Sequence, residues 1–524
     1  MCGIVGYAGK TNVIKNIMTG LKSLEYRGYD SSGIAYLDKN NNIKIYKKVG
    51  QIKNLDQILN YEDEASLGIS HTRWATHGGV TDTNAHPHNQ GKITLVHNGI
   101  IENYEEIKKE LEKEGYNFKS STDSEVAAVL IDKLYKENKD MLKTLIKLKE
   151  ILKGSYAFNI INSDIPNKIY GIRKDVPLIV GVSNHGNMFA SDIPAILHVT
   201  NKYIVLNNNE IVELEQDNVK YYNSEGKEIE YAGTIDSISK NGYEHFMLKE
   251  INEESEVVKN ILNLYTKNNK IKDIYNIKKY KNIDIVACGS ASFAGQIGKY
   301  YIEKYANIKT DVYYASEYRY QKNFFTKDTL VILISQSGET ADTLAALKLA
   351  KENGINTLAI VNRRDSSIAR EADSVIYTEA GIEVAVATTK AYLAQVLILL
   401  LLAFKDNNKE TKLLEDLKLL PNLITKYINE YDYSNIANIL KDKEHIFYLG
   451  RGIDYYLSME GSLKLKEISY IHSEAFQAGE LKHGSISLID KDFGVVSVVT
   501  DKTISDKTIS NLKEVSARGA KIIT

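Results

Sequence analysis

The sequence predicts a mixed α+β and α/β chain: a layered antiparallel domain, then two copies of a parallel α/β domain, the second incomplete. Three observations carry this. Strand-like apolar runs crowd the first 235 or so residues with few helices between them. From about Ile283 the pattern turns to strand–loop–helix alternation, the signature of a parallel sheet. That alternation occurs twice, over 328–360 and over 492–524.

In the first domain Leu67-Gly68-Ile69-Ser70, Ile93-Thr94-Leu95-Val96 and Tyr156-Ala157-Phe158-Asn159-Ile160-Ile161 read as strands. Val13, Ile14, Ile17, Met18, Leu21 and Leu24 recur at helical intervals. Residues 218–231 read as a hairpin turning at Asn223-Ser224-Glu225-Gly226. The polar stretch 234–243 leads into a helix over about 244–267. The boundaries follow: a domain over 2–235, a connecting segment over 236–282, and repeats over 283–420 and 421–524. In the first repeat a strand at 330–334, a helix at 341–353 and Gly354 precede a second strand. The second repeat has the same order, with a strand at 495–499, a helix at 509–517, Gly519 and Ile522-Ile523. Upstream of each stands a strand ending in glycine, Ile285-Val286-Ala287-Cys288-Gly289 and Ile446-Phe447-Tyr448-Leu449-Gly450. The first repeat runs on through Thr388-Thr389-Lys390 and a long apolar helix, whereas the second stops at Thr524. A sheet cut there leaves apolar surface uncovered, so the natural protein is expected to continue.

Composition narrows the function. With 43% hydrophobic and 26% charged residues the chain has the balance of a soluble globular protein. Lys+Arg number 66 against 68 Asp+Glu, a net charge of −2, so no basic excess exists to grip a nucleic-acid backbone. Two cysteines, Cys2 and Cys288, exclude a disulfide scaffold or an iron–sulfur cluster. The start lacks the charged and apolar regions of a secretory signal. The most apolar stretch, 392–404, is too short for a membrane span and contains Gln395. A cytoplasmic protein without membrane association is expected.

Cys2 stands directly behind the initiator methionine, which aminopeptidases remove before small residues. Removal joins a thiol of pKa about 8.5 and an α-amine of about 7.7–8.0 in one residue. Such a nucleophile carries its own base and needs no separate histidine. Three segments accompany it: His71-Thr72-Arg73-Trp74-Ala75-Thr76-His77-Gly78, His97-Asn98-Gly99 and Ser121-Thr122-Asp123-Ser124-Glu125. An amide hydrolase needs two donors aimed at the developing oxyanion and groups for the charged ends of its substrate. The Asn98 side chain and the Gly99 N–H suit the first task, Arg73 a carboxylate and Asp123 an ammonium. Singly, each has a blander reading. Asn98-Gly99 is also a turn pair, and Thr122 with Glu125 a capping box that makes Asp123 a first-turn acid. Arg73 is equally an ion-pair partner and Trp74 a core aromatic. Jointly the blander readings fail.

In the repeats, Ser335-Gln336-Ser337-Gly338-Glu339-Thr340 lies between an apolar strand and a helix, where hydroxyls, backbone N–H groups and a helix N-terminus make an anion site. No Gly-Lys-Ser/Thr follows, so it is not a Walker A loop; a plain Ser/Thr helix cap is the alternative. The second repeat has Thr500-Asp501-Lys502-Thr503 there, so one phosphate site per chain is expected. Gly450-Arg451-Gly452 is no dinucleotide fingerprint, because Tyr455 occupies the third glycine's position. Glu460, Lys464 and Glu467 fall on one helical face, either a solvated ion-pair face or a catalytic one. Gly479-Glu480-Leu481-Lys482-His483-Gly484 adds a titratable histidine. A carboxylate base with a histidine acid fits aldose–ketose isomerisation.

Cys2-Gly3-Ile4-Val5-Gly6, Leu24-Glu25-Tyr26-Arg27-Gly28-Tyr29-Asp30-Ser31, the His71–Gly78 run and His97-Asn98-Gly99-Ile100-Ile101-Glu102-Asn103 resemble class II glutamine amidotransferases. The likeness is closest to the branch acting on fructose 6-phosphate and extends through both repeats, which resemble flavodoxin-like sugar isomerase (SIS) domains. The resemblance implies an N-terminal-nucleophile αββα sandwich with Cys2 as nucleophile and Asn98 and Gly99 as oxyanion hole. It implies that Arg73, His77 and Asp123 hold glutamine, that Arg27 orders the site and that Trp74 gates an internal ammonia channel. Ser335, Gln336, Ser337 and Thr340 would bind phosphate with Ser290 beside them, and Val386 and Thr388 would line the sugar. Glu467 would be the isomerisation base, assisted by Lys464 and Glu460, with His483 opening the ring. No metal or organic cofactor is implied, and a homodimer through the SIS half is expected by analogy. Glutamine and fructose 6-phosphate would give glutamate and glucosamine 6-phosphate.

The sequence departs from the family where Ser290-Ala291 replace Thr-Ser and where Thr388 replaces serine. The family's C-terminal tail, with a lysine that forms a Schiff base with the open ketose, is not reached. A glutaminase-active phosphosugar sensor is therefore the alternative. The pyrophosphate loop of asparagine synthetase, the cluster cysteines of glutamate synthase and the ribose-phosphate loop of the amidophosphoribosyltransferase are not found in the sequence.

Overall fold

A computed structural model describes residues 2–75, 78–229, 236–237, 240–272, 274–364 and 366–524. The chain forms two compact units, Met1–Ser239 and Lys240–Thr524.

The first unit stacks two antiparallel sheets. One is eight-stranded, with Gly3–Gly9 and Ala65–Arg73 at its centre, and the other seven-stranded, with Ile93–Ile101 and Gly154–Asn162 adjacent. Alternating apolar residues of both sheets, including Ile4, Ile69, Val96, Ala157 and Phe189, fill the space between them. Helix Val13–Lys22 covers the outer face of the first sheet, and helices Asp123–Asn138 and Met141–Ile151 that of the second. This is the expected αββα sandwich. The 218–231 hairpin is present as Val219–Tyr222 paired with Glu228–Ile229, turning at Asn223 to Gly226; residues 230–231 lie outside the described residues.

The second unit holds two parallel sheets. The five-stranded one runs Lys309–Tyr314, Asn282–Ala287, Thr329–Ser335, Asn356–Val361, Ser374–Tyr377. The four-stranded one runs His472–Gln477, His445–Gly450, Gly494–Ser497, Lys521–Ile523. Numbered within each repeat both follow the order 2-1-3-4, which the first repeat extends with a fifth strand; this is the flavodoxin-like winding. Its order reverses beside strand one, so the carboxyl ends of strands one and three make a crevice where ligands bind. In the first repeat those ends are Ala287 and Ser335. Helix Lys390–Phe404 is apolar on nearly every face and lies in the core, and no described helix is long and apolar enough to cross a membrane.

Some helix limits differ from the sequence pattern. Phe246–Tyr265 ends two residues short of Lys267, because Thr266–Lys267 pairs instead with Lys270–Ile271. Ser505–Ser516 begins before Ile509: Ser505, Asp506 and Lys507 form a polar first turn invisible to apolar periodicity.

Candidate active site

Cys2 precedes strand Gly3–Gly9, whose register sets Gly3 opposite Thr72. Arg73 ends the neighbouring strand, and Trp74 follows it. The Trp74 N–H donates to Cys2 Sγ at 3.2 Å, and the thiol returns a bond to Trp74 O at 3.4 Å. The indole is half-exposed and stands edge-on to Tyr29 at 5.6 Å. Burial pushes the Cys2 thiol up, against the Trp74 N–H and the charges of Arg73 and Arg27, which pull it down.

The Cys2 carbonyl is held from two sides. Asn98, reaching across from the second sheet, donates Nδ2 to it at 2.8 Å, and Arg27 donates Nε at 3.0 Å. Arg27 also pairs through Nη1 with Asp192 at 2.8 Å, which fixes the guanidinium. A primary amide has two N–H groups, so Asn98 keeps one beyond the bond to Cys2. Gly99 follows at φ +123, where an added Cβ would lie 2.1 Å from Ser155 O. Only glycine fits there.

Asp123 opens helix Asp123–Asn138, is buried, and accepts from the Ile101 N–H at 3.0 Å. Thr122 caps that helix by accepting from Glu125 N, but the reciprocal half of the expected capping box is not made. The Glu125 carboxylate takes the N–H groups of Lys119 and Ser120 instead, ordering the approach to the helix. Arg73 donates to the carbonyls of Gly78 and Gly79 at 3.1 Å each, which ties it to its own loop. His77 lies outside the described residues.

Behind these groups sit His71, His86, His88 and His97, all buried. The His71 ring lies 4.0 Å from His86, and His86 4.7 Å from His88. Burial drives His71 down to about 3 and His86 and His88 well below the usual imidazole range, so these three are neutral at pH 7. Sequence reading named His71 only as part of a run and gave it no task. The signal for it is three-dimensional, a contact with Asn98.

In the second unit the loop after strand Thr329–Ser335 closes on itself. Ser335 Oγ accepts from the Gly338 N–H at 3.0 Å and meets Thr340 Oγ1 at 2.9 Å, while Ser337 Oγ accepts from Glu339 N at 3.2 Å. Gln336 receives Asn362 N at its carbonyl. Thr340, the N-cap of helix Ala341–Glu352, spends its hydroxyl on Ser335 and makes no side-chain cap bond. The first-turn N–H groups are thereby left for an anion at the sheet's crevice.

Helix Ile453–Ser469 carries Glu460, Lys464 and Glu467 on one face. Lys464 Nζ bridges the two carboxylates, at 3.4 Å from Glu460 and 2.6 Å from Glu467. Burial raises the Glu460 carboxyl, with Lys464 and Ser290 opposing. Ser290, expected beside the phosphate loop, donates to Glu460 at 2.9 Å, where helix Gly289–Tyr301 packs against Ile453–Ser469. Thr388 donates to Glu383 at 2.5 Å, and Val386 is exposed. His483 sits on the turn Leu481–His483 with an exposed ring and no hydrogen bond from it among the described residues. Two groupings thus form in this unit, the serine loop and the Ser290–Glu460–Lys464–Glu467 chain.

Comparison with known proteins accords with this geometry. A SIS domain model matches residues 276–405 and 439–524, and a glutamine amidotransferase domain model matches 71–198. A glutamine–fructose-6-phosphate aminotransferase [isomerizing] from Fusobacterium nucleatum is 47% identical over 547 residues, spanning 100% of this chain and 90% of the relative. Its namesake from Clostridium tetani is 46% identical over 549 residues with the same coverage. The solved C-terminal domain of glucosamine-fructose-6-phosphate aminotransferase from Francisella tularensis superposes with a TM-score of 0.53 at 42% identity, covering 54% of this chain and 85% of that one. The chain belongs to the isomerizing glutamine–fructose-6-phosphate aminotransferase family.

Proposed function

We propose that this chain transfers the amide nitrogen of glutamine to fructose 6-phosphate, giving glutamate and glucosamine 6-phosphate. The observation that carries the reading is the setting of Cys2: a thiol against the Trp74 N–H, next to an amide donor with an N–H to spare. Once Met1 is removed, the α-amine of Cys2 takes the thiol proton and sulfur adds to the side-chain amide carbon of glutamine. The free Asn98 N–H and the Gly99 N–H stabilise the oxyanion. Collapse expels ammonia and leaves a thioester, which water hydrolyses to glutamate. Arg73, His77 and Asp123 hold the amino-acid end, Arg27 keeps the Cys2 backbone in place, and Trp74 gates the departing ammonia.

Ammonia then adds at C2 of the open-chain ketose, losing water to form an imine. Glu467 removes a proton from C1 and returns it at C2, while the C1 hydroxyl proton passes to the imine nitrogen, which leaves the 2-amino aldehyde. Lys464, paired with both carboxylates, and Glu460 assist by orienting Glu467, and His483 assists ring opening. Ser335, Gln336, Ser337 and Thr340 take the phosphate with Ser290 beside them, and Val386 and Thr388 the sugar, while Ser290 also holds Glu460. The segments 2–235, 236–282, 283–420 and 421–524 divide the work. Both substrates are small and soluble, which suits a cytoplasmic homodimer paired through the SIS half, without nucleic-acid or membrane partners.

The test is glutamine labelled with 15N at its amide, supplied with fructose 6-phosphate. The expected product is glucosamine 6-phosphate carrying 15N. Release of all the label as ammonium, with no amino sugar, would leave only a glutaminase that binds phosphosugar.

A further inference from the structure

Between strand Ser374–Tyr377 and helix Lys390–Phe404 the chain has no helix or strand. The start of this stretch is held by the Val361 carbonyl, which accepts from the Thr378 N–H, and by Asn362, which bonds Thr378, Ala380 and Gly381. Carboxylates hold the rest. Glu250, on helix Phe246–Tyr265, is 1% exposed, and its Oε1 accepts the N–H of Val384 at 2.6 Å and of Ala385 at 3.2 Å. Glu383 takes the Thr388 hydroxyl at 2.5 Å and the N–H groups of Thr389 and Ala391 at 2.9 and 3.2 Å, capping the next helix. Lys390 returns to the first helix through Glu253 at 2.7 Å, and Lys249 shares that carboxylate at 3.2 Å. The loop is pinned before Val386 by Glu250 and after it by Glu383.

We propose that Glu250 is a positioning residue of the phosphosugar site, holding the backbone of Val384 and Ala385 so that Val386 and Thr388 stand against the sugar. The inference rests on the assignment of Val386 and Thr388 to the sugar made above. A carboxylate buried this deeply is costly unless its hydrogen bonds are needed. Burial, with Glu383 nearby, pushes Glu250 up to about 7, and the two N–H groups and Lys390 restrain it. Its hydrogen bonds are spent on this loop. Glutamine in its place keeps the shape and one acceptor oxygen but sets an N–H2 where Oε2 now accepts from the Ala385 N–H at 3.3 Å.

The experiment titrates fructose 6-phosphate and, separately, inorganic phosphate into the full chain by calorimetry, for the wild type, Glu250→Gln, Glu250→Ala and Thr388→Ala. Phosphate reports on the serine loop alone. The expected result is that both Glu250 variants weaken fructose 6-phosphate about tenfold or more while phosphate affinity shifts less than about twofold. Equal loss of both ligands would assign Glu250 to general stability and overturn the inference. So would Glu250 variants that bind the sugar like wild type while Thr388→Ala weakens it. An unchanged Thr388→Ala would instead sink the sugar assignment of the loop, and the inference with it.

Discussion

His71 Nε2 lies 3.1 Å from Asn98 Oδ1 and 3.0 Å from the His97 carbonyl. The His97 carbonyl only accepts, so Nε2 carries the proton of this neutral ring. That proton fixes the Asn98 amide with its oxygen toward His71 and its N–H2 toward Cys2. A residue near the end of a strand thereby sets the orientation of a proposed oxyanion donor.

The first prediction concerns this pair. His71→Phe is expected to lower glutamine turnover about tenfold to a hundredfold, with His71→Gln restoring part of it through its own N–H. In an Asn98→Ala background, itself down about 10²–10³, the His71 substitution is expected to add little, because both act through one amide. Additive losses in steady-state kinetics would contradict the coupling.

The second prediction follows from Gly99. An Ala there meets Ser155 O and must adopt a backbone region that disfavours side chains. Glutaminase turnover of Gly99→Ala should fall by about 10² or more. Normal turnover would show that the Gly99 N–H is not part of the oxyanion site.

The third concerns pH. Alkylation by iodoacetamide needs the thiolate, and burial raises the Cys2 thiol. A raised pKa means that the thiolate is scarce at neutral pH and grows as pH rises. In a variant that retains Met1, and so has no α-amine on Cys2, the rate of Cys2 labelling should climb about tenfold per unit with no plateau below about pH 8.5. A plateau near pH 7 would contradict it.

The fourth lies in the serine loop. Ser335→Ala removes the acceptor for the Gly338 N–H and the partner of Thr340. Fructose 6-phosphate affinity should fall about tenfold, read by calorimetry. Wild-type affinity would mean that the loop closes without that hydroxyl.

Much of this fold can be read from local pattern. Strand–loop–helix alternation is short-range, so both repeats and the loop at Ser335 stand out, and the flavodoxin-like order places that loop at the crevice. Cys2, Asn98 and Gly99 are likewise visible as motifs. Contacts over long separations are not. His71 and Asn98 are 27 residues apart, and Glu250 and Val384 are 134 apart. Each pair is set by how whole elements pack. The capping box at Thr122 was half legible: Glu125 has the right spacing, but nearer backbone donors at Lys119 and Ser120 outcompete Thr122 N for its carboxylate.

Peptide mapping of the protein inactivated by a chloromethyl-ketone analogue of glutamine probes the account at its root. A single adduct on Cys2, in a peptide whose first residue is that cysteine with a free amine, is the predicted result. An adduct on Cys288, or inactivation of protein that still carries Met1 at the same rate, would contradict it.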